Sequence, residues 1–242
     1  MAERFARHGA RVVLAGRNGE KLAAAARSIR EQGGDAGTAP LDVRNFEALE
    51  SAFRGVRERL GEIDILVCAA AGNFPAAVDQ MSANGFKAVI DIDLLGTFNT
   101  CRAAYAHLRK PGASILTISA NHATMPIALQ AHVCAAKAGV EILTRTIALE
   151  WGPAGIRANC ITPGPTADTE GMRRLAPTEA AVRQVEANVP LRRLGTRDEL
   201  ADLALFLCSD AASYITGAVF VCDGGSSLRR TELLASLALP RA

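Results

Sequence analysis

No run of about 18 consecutive apolar residues occurs in this 242-residue chain, so its pattern holds no membrane span. The six cysteines, at 68, 101, 134, 160, 208 and 222, form no CxxC pair and no cluster with histidine. That spacing excludes a zinc or iron–sulfur site and a disulfide framework; the thiols read as small buried side chains in a reducing cytoplasm. Charge of one sign is also missing. With 27 basic and 25 acidic residues the net charge is +2 and no basic block exists, which argues against nucleic acid as a partner. Glu3, Arg4 and Arg7 lie inside a helical pattern, unlike a signal peptide. Linkers, repeats and low-complexity stretches are absent, and one domain is expected over residues 1–242. Tyrosine is scarce, with only Tyr105 and Tyr214.

What is present is a chain with 49% hydrophobic residues that alternates strand and helix patterns almost throughout. After a helical segment at 1–8 stopped by Gly9, strands are expected at Arg11–Ala15, Ala36–Val43, Ile63–Ala71, Ser114–Ser119, Ile156–Thr162 and Ala218–Cys222. Helices are expected at Glu20–Arg30, Asn45–Leu60, Ser82–Leu108 with Ser82 as N-cap, Gln130–Glu150 and Glu199–Leu207. The near-continuous apolar run IDILVCAAA is the pattern of a strand buried on both faces of a parallel sheet. Strands alternating with helices in this way specify an α/β fold, a Rossmann-type doubly wound parallel sheet.

Ligands of such sheets bind beyond the carboxyl ends of the strands, and the residues there carry the chemistry. Arg17 offers a planar fork to a phosphate, here the 2′-phosphate of NADP. Asp42, followed by Val43, can accept from an adenine amino group. Gly72, after Ala71, lets backbone approach a ligand closely. Asn73 presents an amide that donates and accepts, although an asparagine after a turn often only caps its own backbone. Pro163-Gly164-Pro165 is a stiff loop beneath which a planar ring could sit. Lys137 is a single ammonium on an alanine-lined helical turn. It is equally readable as a lysine reaching to water along an apolar helix. His122 lies on the polar loop before that helix. His132, near the start of the helix, is expected to face the other way.

The stretches RVVLAGR, LDV, AAAGNF, AKAGVEILTRTIALEWG, IRANCITPGP and YITGAVFVCDGG together resemble the short-chain dehydrogenase/reductase family and cover nearly the whole chain in that family's order. Within it, AAAGNF and PGPTADTEGMRRLAP are most similar to the 2,4-dienoyl-CoA reductases. The chain departs from the usual Tyr-x-x-x-Lys pattern: the lysine is Lys137, but the tyrosine position is Val133 and the serine position falls at or beside Ala120. Oxidation of an alcohol, which needs a phenol to move the hydroxyl proton, is therefore excluded. Dienoyl-CoA reductases also lack that tyrosine, and their asparagine, tyrosine and lysine fall at Asn73, His122 and Lys137, with histidine substituted for tyrosine.

The resemblance implies NADPH as cofactor and a 2,4-dienoyl-CoA or related enoyl thioester as substrate. It places Phe74, Ser82 and Arg174 along the acyl-CoA path, with Arg17 close to phosphates. Hydride is delivered to the conjugated thioester, and donors from Asn73 and His122 stabilise the dienolate oxygen. Each such donor is worth about 3–4 kcal/mol in comparable oxyanion sites. A cationic His122 would also assist protonation, and the rate would then fall above its pKa. Lys137 would position the nicotinamide ribose. The resemblance also implies a homotetramer or homodimer. The family's first strand and glycine loop have no counterpart in the chain. A missing middle strand would deprive two neighbours of ladder partners, and the sequence is expected to be an N-terminally incomplete reductase. The alternative is a non-catalytic binding protein of the same fold that has lost its acid and its cofactor loop.

Overall fold

The computed structural model describes residues 1–231, so the domain assigned to 1–242 runs past the described residues at 232–242. Six strands form two parallel sheets. The smaller pairs β1 (Arg11–Gly16) with β2 (Asp35–Pro40); the larger orders β3 (Ile65–Cys68), β4 (Ser114–Ile118), β5 (Arg157–Pro163) and β6 (Val219–Cys222). All pairings are parallel, with Val13 opposite Gly37, Leu66 opposite Ile115 and Thr117 opposite Cys160. Among the described residues β1 pairs only with β2, and β3 only with β4 within the sheets.

Helix α1 (Ala2–Arg7) bridges the two sheets. Its Phe5 packs with Leu116, Ile161, Ala204 and Leu207, while the adjacent Ala6 packs with Ala26, Ile29 and Ala36. Helix α2 (Gly19–Glu31) covers the small sheet. The Asn18 side chain caps it by accepting from the Lys21 N–H, as Asn45 does for α3 (Phe46–Leu60) from Ala48. The strands of the larger sheet are buried on both faces. Ile65 and Val67 face α9 (Arg197–Cys208) and Leu66 and Cys68 face α5 (Gly96–Ala104), because successive side chains of a strand point to opposite sides.

Three expectations need correction. The helix expected over Ser82–Leu108 is α4 (Ala83–Val89), a π-helical segment Ile90–Leu95, α5 and a short 3₁₀ turn at Tyr105–His107. The strand expected over Ile63–Ala71 pairs only over Ile65–Cys68, and Ala69–Val78 runs as irregular chain. Helices α7 (Glu170–Leu175) and α8 (Glu179–Asn188) were not expected, although Thr169 and Thr178 cap them by accepting from Met172 and Ala181. A threonine followed by glutamate was the available signal. Helix α6 (Ala131–Trp151) has nearly the expected bounds.

Val43 packs directly on Gly96, where an added Cβ would lie 2.5 Å from Val43 Cγ2. A β-branched side chain cannot swing clear. Gly96→Ala therefore lowers stability by about 1–3 kcal/mol, read as a lower urea midpoint. The Gly96→Ala/Val43→Ala pair loses less than the sum of the two single changes.

Candidate active site

Because the strands of each sheet run parallel, their carboxyl ends lie on one edge of that sheet. Arg17, Asp42, the turn 69–73, the loop 119–123 and Pro163-Gly164 stand along these edges. Lys137, on α6, is buried at 6% exposure. Its Nζ donates to the Ile118 carbonyl at 3.1 Å and lies 3.1 Å from Asp93 Oδ2. Asp93 is itself buried at 1%, and its Oδ1 accepts from the Gly72 N–H at 2.7 Å. One carboxylate thus joins the helix that carries Lys137 to the turn that carries Asn73. The other carboxylate oxygen meets the ammonium by charge but takes no aligned hydrogen bond among the described residues. Of the three ammonium protons only the one given to Ile118 is in an aligned hydrogen bond among the described residues, so the ammonium can still donate to a ligand hydroxyl.

Asp93 reaches this place through the π-helical segment, whose wider turn rotates the side chain inward; π-turns inside helices recur at functional sites. Thr97 Oγ1 donates to the Asp93 carbonyl at 2.6 Å and holds the irregular turn. Sequence reasoning missed Asp93, because IDIDLL reads as ordinary helix with polar residues on its outer face. It also missed Glu141, one turn beyond Lys137. That buried carboxylate accepts from Ser119 at 2.8 Å and Thr162 at 3.2 Å, and so ties the ends of β4 and β5 to α6. An acid in the middle of an apolar helix was the signal.

The structure treats the expected site residues unequally. Asn73 is exposed, and its amide makes no hydrogen bond among the described residues. Val133, at the tyrosine position, packs with Val89 and Ala136, so an apolar helix contact replaces the phenol. His122 is half-buried with an unpartnered Nδ1; burial, then Lys137 and His132, push its pKa below the usual histidine value. Of the two forms open from sequence, that direction favours the neutral ring over the cationic one. His132, expected to face away, is fully buried against the Phe74 ring, with centroids 4.5 Å apart and neither nitrogen partnered.

Other placements change the reason for a residue more than its location. Gly72 is close-packed on protein, since an added Cβ would lie 3.2 Å from Ile92; Ala71 beside it is exposed. An added Cβ at Gly164 would lie 2.5 Å from the Asp223 Cα, so that glycine serves the packing of β5 against the end of β6. Asp42 is gripped by the Arg44 guanidinium, which lowers its pKa to about 2, and the Val43 carbonyl accepts from Asn99 at 3.1 Å. The Ser82 oxygen accepts from the Gly85 N–H, so the side chain is engaged as the cap of α4 and its hydroxyl proton is free for a ligand. Arg17 and Lys21 line a surface depression together with Glu170, and Glu170 pairs with Arg174. Glu20 lines it as well, so Arg17 and Arg174 stand around a depression of mixed charge.

These residues fit a nicotinamide dinucleotide at two ends. Lys137 has a free proton for a ribose hydroxyl, and Arg17 and Lys21 flank the N-terminus of α2, where an anion is favoured. Among the described residues, no glycine turn leads from a strand into α1 to cradle a pyrophosphate.

Two outcomes follow from the buried charges. Asp93→Asn leaves the Lys137 ammonium buried without its counter-charge and costs about 3–5 kcal/mol. The Asp93→Asn/Lys137→Met pair costs less than the two single changes added together, measured by urea denaturation. Because the folded-state pKa of His122 lies below that of the unfolded chain, the unfolded state takes the proton more readily. Stability therefore falls as pH drops through about 6.5 toward the lower folded value. His122→Gln flattens that slope in urea midpoints measured across the window.

A family model described as enoyl-(acyl carrier protein) reductase matches residues 1–227. A peroxisomal 2,4-dienoyl-CoA reductase of Saccharomyces cerevisiae is 42% identical over 221 residues, which are 90% of this chain and 75% of that protein. Two crystal structures are also similar. A short-chain dehydrogenase of Bacillus anthracis has TM-score 0.83 at 40% identity, covering 95% of this chain and 91% of that one. A gluconate 5-dehydrogenase of Burkholderia cenocepacia in complex with NADP and tartrate has TM-score 0.87 at 32% identity, covering 94% and 89%. With a parallel sheet, a lysine on the long helix after β4 and matches of this extent, the chain belongs to the short-chain dehydrogenase/reductase family.

Proposed function

We propose that the protein reduces a 2,4-dienoyl-CoA, or a related enoyl thioester of fatty-acid breakdown, with NADPH as cofactor. The observation that carries this reading is the buried Lys137–Asp93 pair beside an unengaged Asn73 amide, with valine where an alcohol dehydrogenase needs a phenol. The dienoyl-CoA reductase of yeast named above supports the substrate class. NADPH, when bound, supplies the hydride.

The chain's own residues do the rest. Asn73 donates its amide N–H to the thioester oxygen as negative charge gathers there, an interaction stronger in the transition state than before it. Lys137 holds a ribose hydroxyl, and Asp93 fixes both the lysine and the turn that presents Asn73. His122, being neutral, cannot act as a strong acid. It relays a proton from water to the dienolate carbon, giving up one N–H as its other nitrogen takes the water's proton, and hydroxide returns to solvent. Arg17 and Lys21 favour a 2′-phosphate, and Arg174 contacts the phosphates of the CoA end. Phe74 and the Ser82 hydroxyl border the acyl path.

We further place the protein in a reducing compartment, the cytoplasm, as a homodimer or homotetramer. Among the described residues no helix is long and apolar enough to cross a membrane. The exposed Phe98, Ile142 and Leu149 on α5 and α6 form the face for a second copy. A non-catalytic binding role is the second reading, favoured by one observation: the unpaired facing sides of β1 and β3.

The decisive measurement is NADPH binding followed by its oxidation with 2,4-hexadienoyl-CoA. Lys137→Met is expected to lower kcat/KM by about 100-fold or more, while Tyr105→Phe and Tyr214→Phe leave it unchanged. Because His122 is neutral at neutral pH, the rate stays level as pH rises from 7 to 8. A fall in that window that disappears in His122→Gln would show a cationic acid instead. Arg17→Glu is expected to shift the NADPH-over-NADH preference by about 10- to 100-fold, the worth of a charge-assisted contact. Failure to bind either cofactor leaves the binding-protein reading.

A further inference from the structure

Two irregular segments at the site are apolar, where loops normally carry polar residues. Residues 74–78 read FPAAV and residues 125–129 read MPIAL, with no charged side chain in either. The Ala76 N–H donates to the Leu129 carbonyl at 3.0 Å, which clips the two runs side by side. Phe74, Val78, Ile127 and Leu129 remain 38%, 74%, 37% and 49% exposed. Leu129 holds a left-handed backbone with φ of 65°, a conformation that costs a leucine energy and persists at sites that use it. One end of this surface is continuous with the site, since Phe74 follows Asn73 and stacks on the buried His132.

We infer that the clipped runs 74–78 and 125–129 are the seat of the substrate's acyl chain beyond its reacting carbons. The inference rests on the proposed thioester reductase reading and deepens it by assigning the chain-length specificity. With the CoA phosphates at Arg174 and the thioester oxygen at Asn73, the hydrocarbon tail is the part of the substrate left without a partner. An uncharged surface starting at Phe74 matches its chemistry. Fully burying one methylene is worth about fourfold in affinity, and half-burial on an open surface about twofold. A tail four methylenes longer should therefore bind about tenfold tighter or more.

The test is titration calorimetry of CoA, hexanoyl-CoA and decanoyl-CoA, with hexadienoyl-CoA turnover measured in parallel. Decanoyl-CoA is expected to bind at least about tenfold tighter than hexanoyl-CoA. Val78→Asp and Leu129→Asn should each cut that ratio to about threefold or less without changing CoA affinity. Val78 is largely exposed, and asparagine tolerates the left-handed backbone at 129, so both variants are expected to fold. A ratio near one in the unaltered protein, or a ratio kept in both variants, overturns the inference. So does a changed sedimentation coefficient with the ratio kept, which would assign the surface to a second copy of the chain. Turnover without chain-length dependence defeats the acyl seat alone. Chain-length dependence without turnover defeats the reductase reading alone.

Discussion

The site depends on a single buried carboxylate. Asp93 holds the Gly72 backbone with one oxygen and the Lys137 ammonium with the other, and almost no water reaches either charge. In such surroundings an unpaired charge is costly, so lysine and aspartate enforce one another's position. The constraint reaches outward from there. The turn after β3, the long helix α6 and the interrupted helix Ala83–Ala104 are fixed relative to one another by these two contacts. The exposed Asn73 amide stands at the edge of a rigid frame, which suits a donor that must meet an oxyanion without rearranging.

Around that frame the polar groups divide into two kinds. Glu141, Asn121 and Asp223 are consumed in structure. Glu141 ties two strand ends to α6, and Asn121 donates to Asp223 and Ser226 and so joins the loop after β4 to the segment after β6. By contrast, Asp93 Oδ2, His122 Nδ1 and both nitrogens of His132 lack aligned partners. Buried polar atoms are ordinarily satisfied, and leaving one unmade costs about 1–3 kcal/mol. Arg4 Nε, His107 Nδ1, Asn121 Oδ1 and Gln130 Oε1 are likewise without partners among the described residues.

Much of the fold was readable because its signals are local. Runs such as ILVC and SILTI mark strands buried on both faces, and the caps Asn18, Asn45 and Ser82 mark helix starts within a residue. The interrupted helix was not readable. Nothing in IDIDLL forbids continuous α-helix, and the π-turn exists because Asp93 gains more by meeting Lys137 and Gly72 than the helix loses in regular bonding. The orientation of His132 was misjudged for a related reason. Helical phase relative to Lys137 says nothing about which neighbour, here Phe74, comes to cover the ring.

The sequence by itself determined the alternation of strands and helices, the residues standing at the strand ends, and the replacement of the phenol by Val133. The first two follow from periodicity and caps, and the third from the resemblance to the short-chain dehydrogenase/reductase family. Only the tertiary structure decided that Asp93 is the partner of Lys137, that burial lowers the pKa of His122, and that two apolar loops lie clipped together. These depend on burial and on contacts between segments distant in the chain. The free energy of a charge or an apolar surface is set by what surrounds it, and only folding supplies those surroundings.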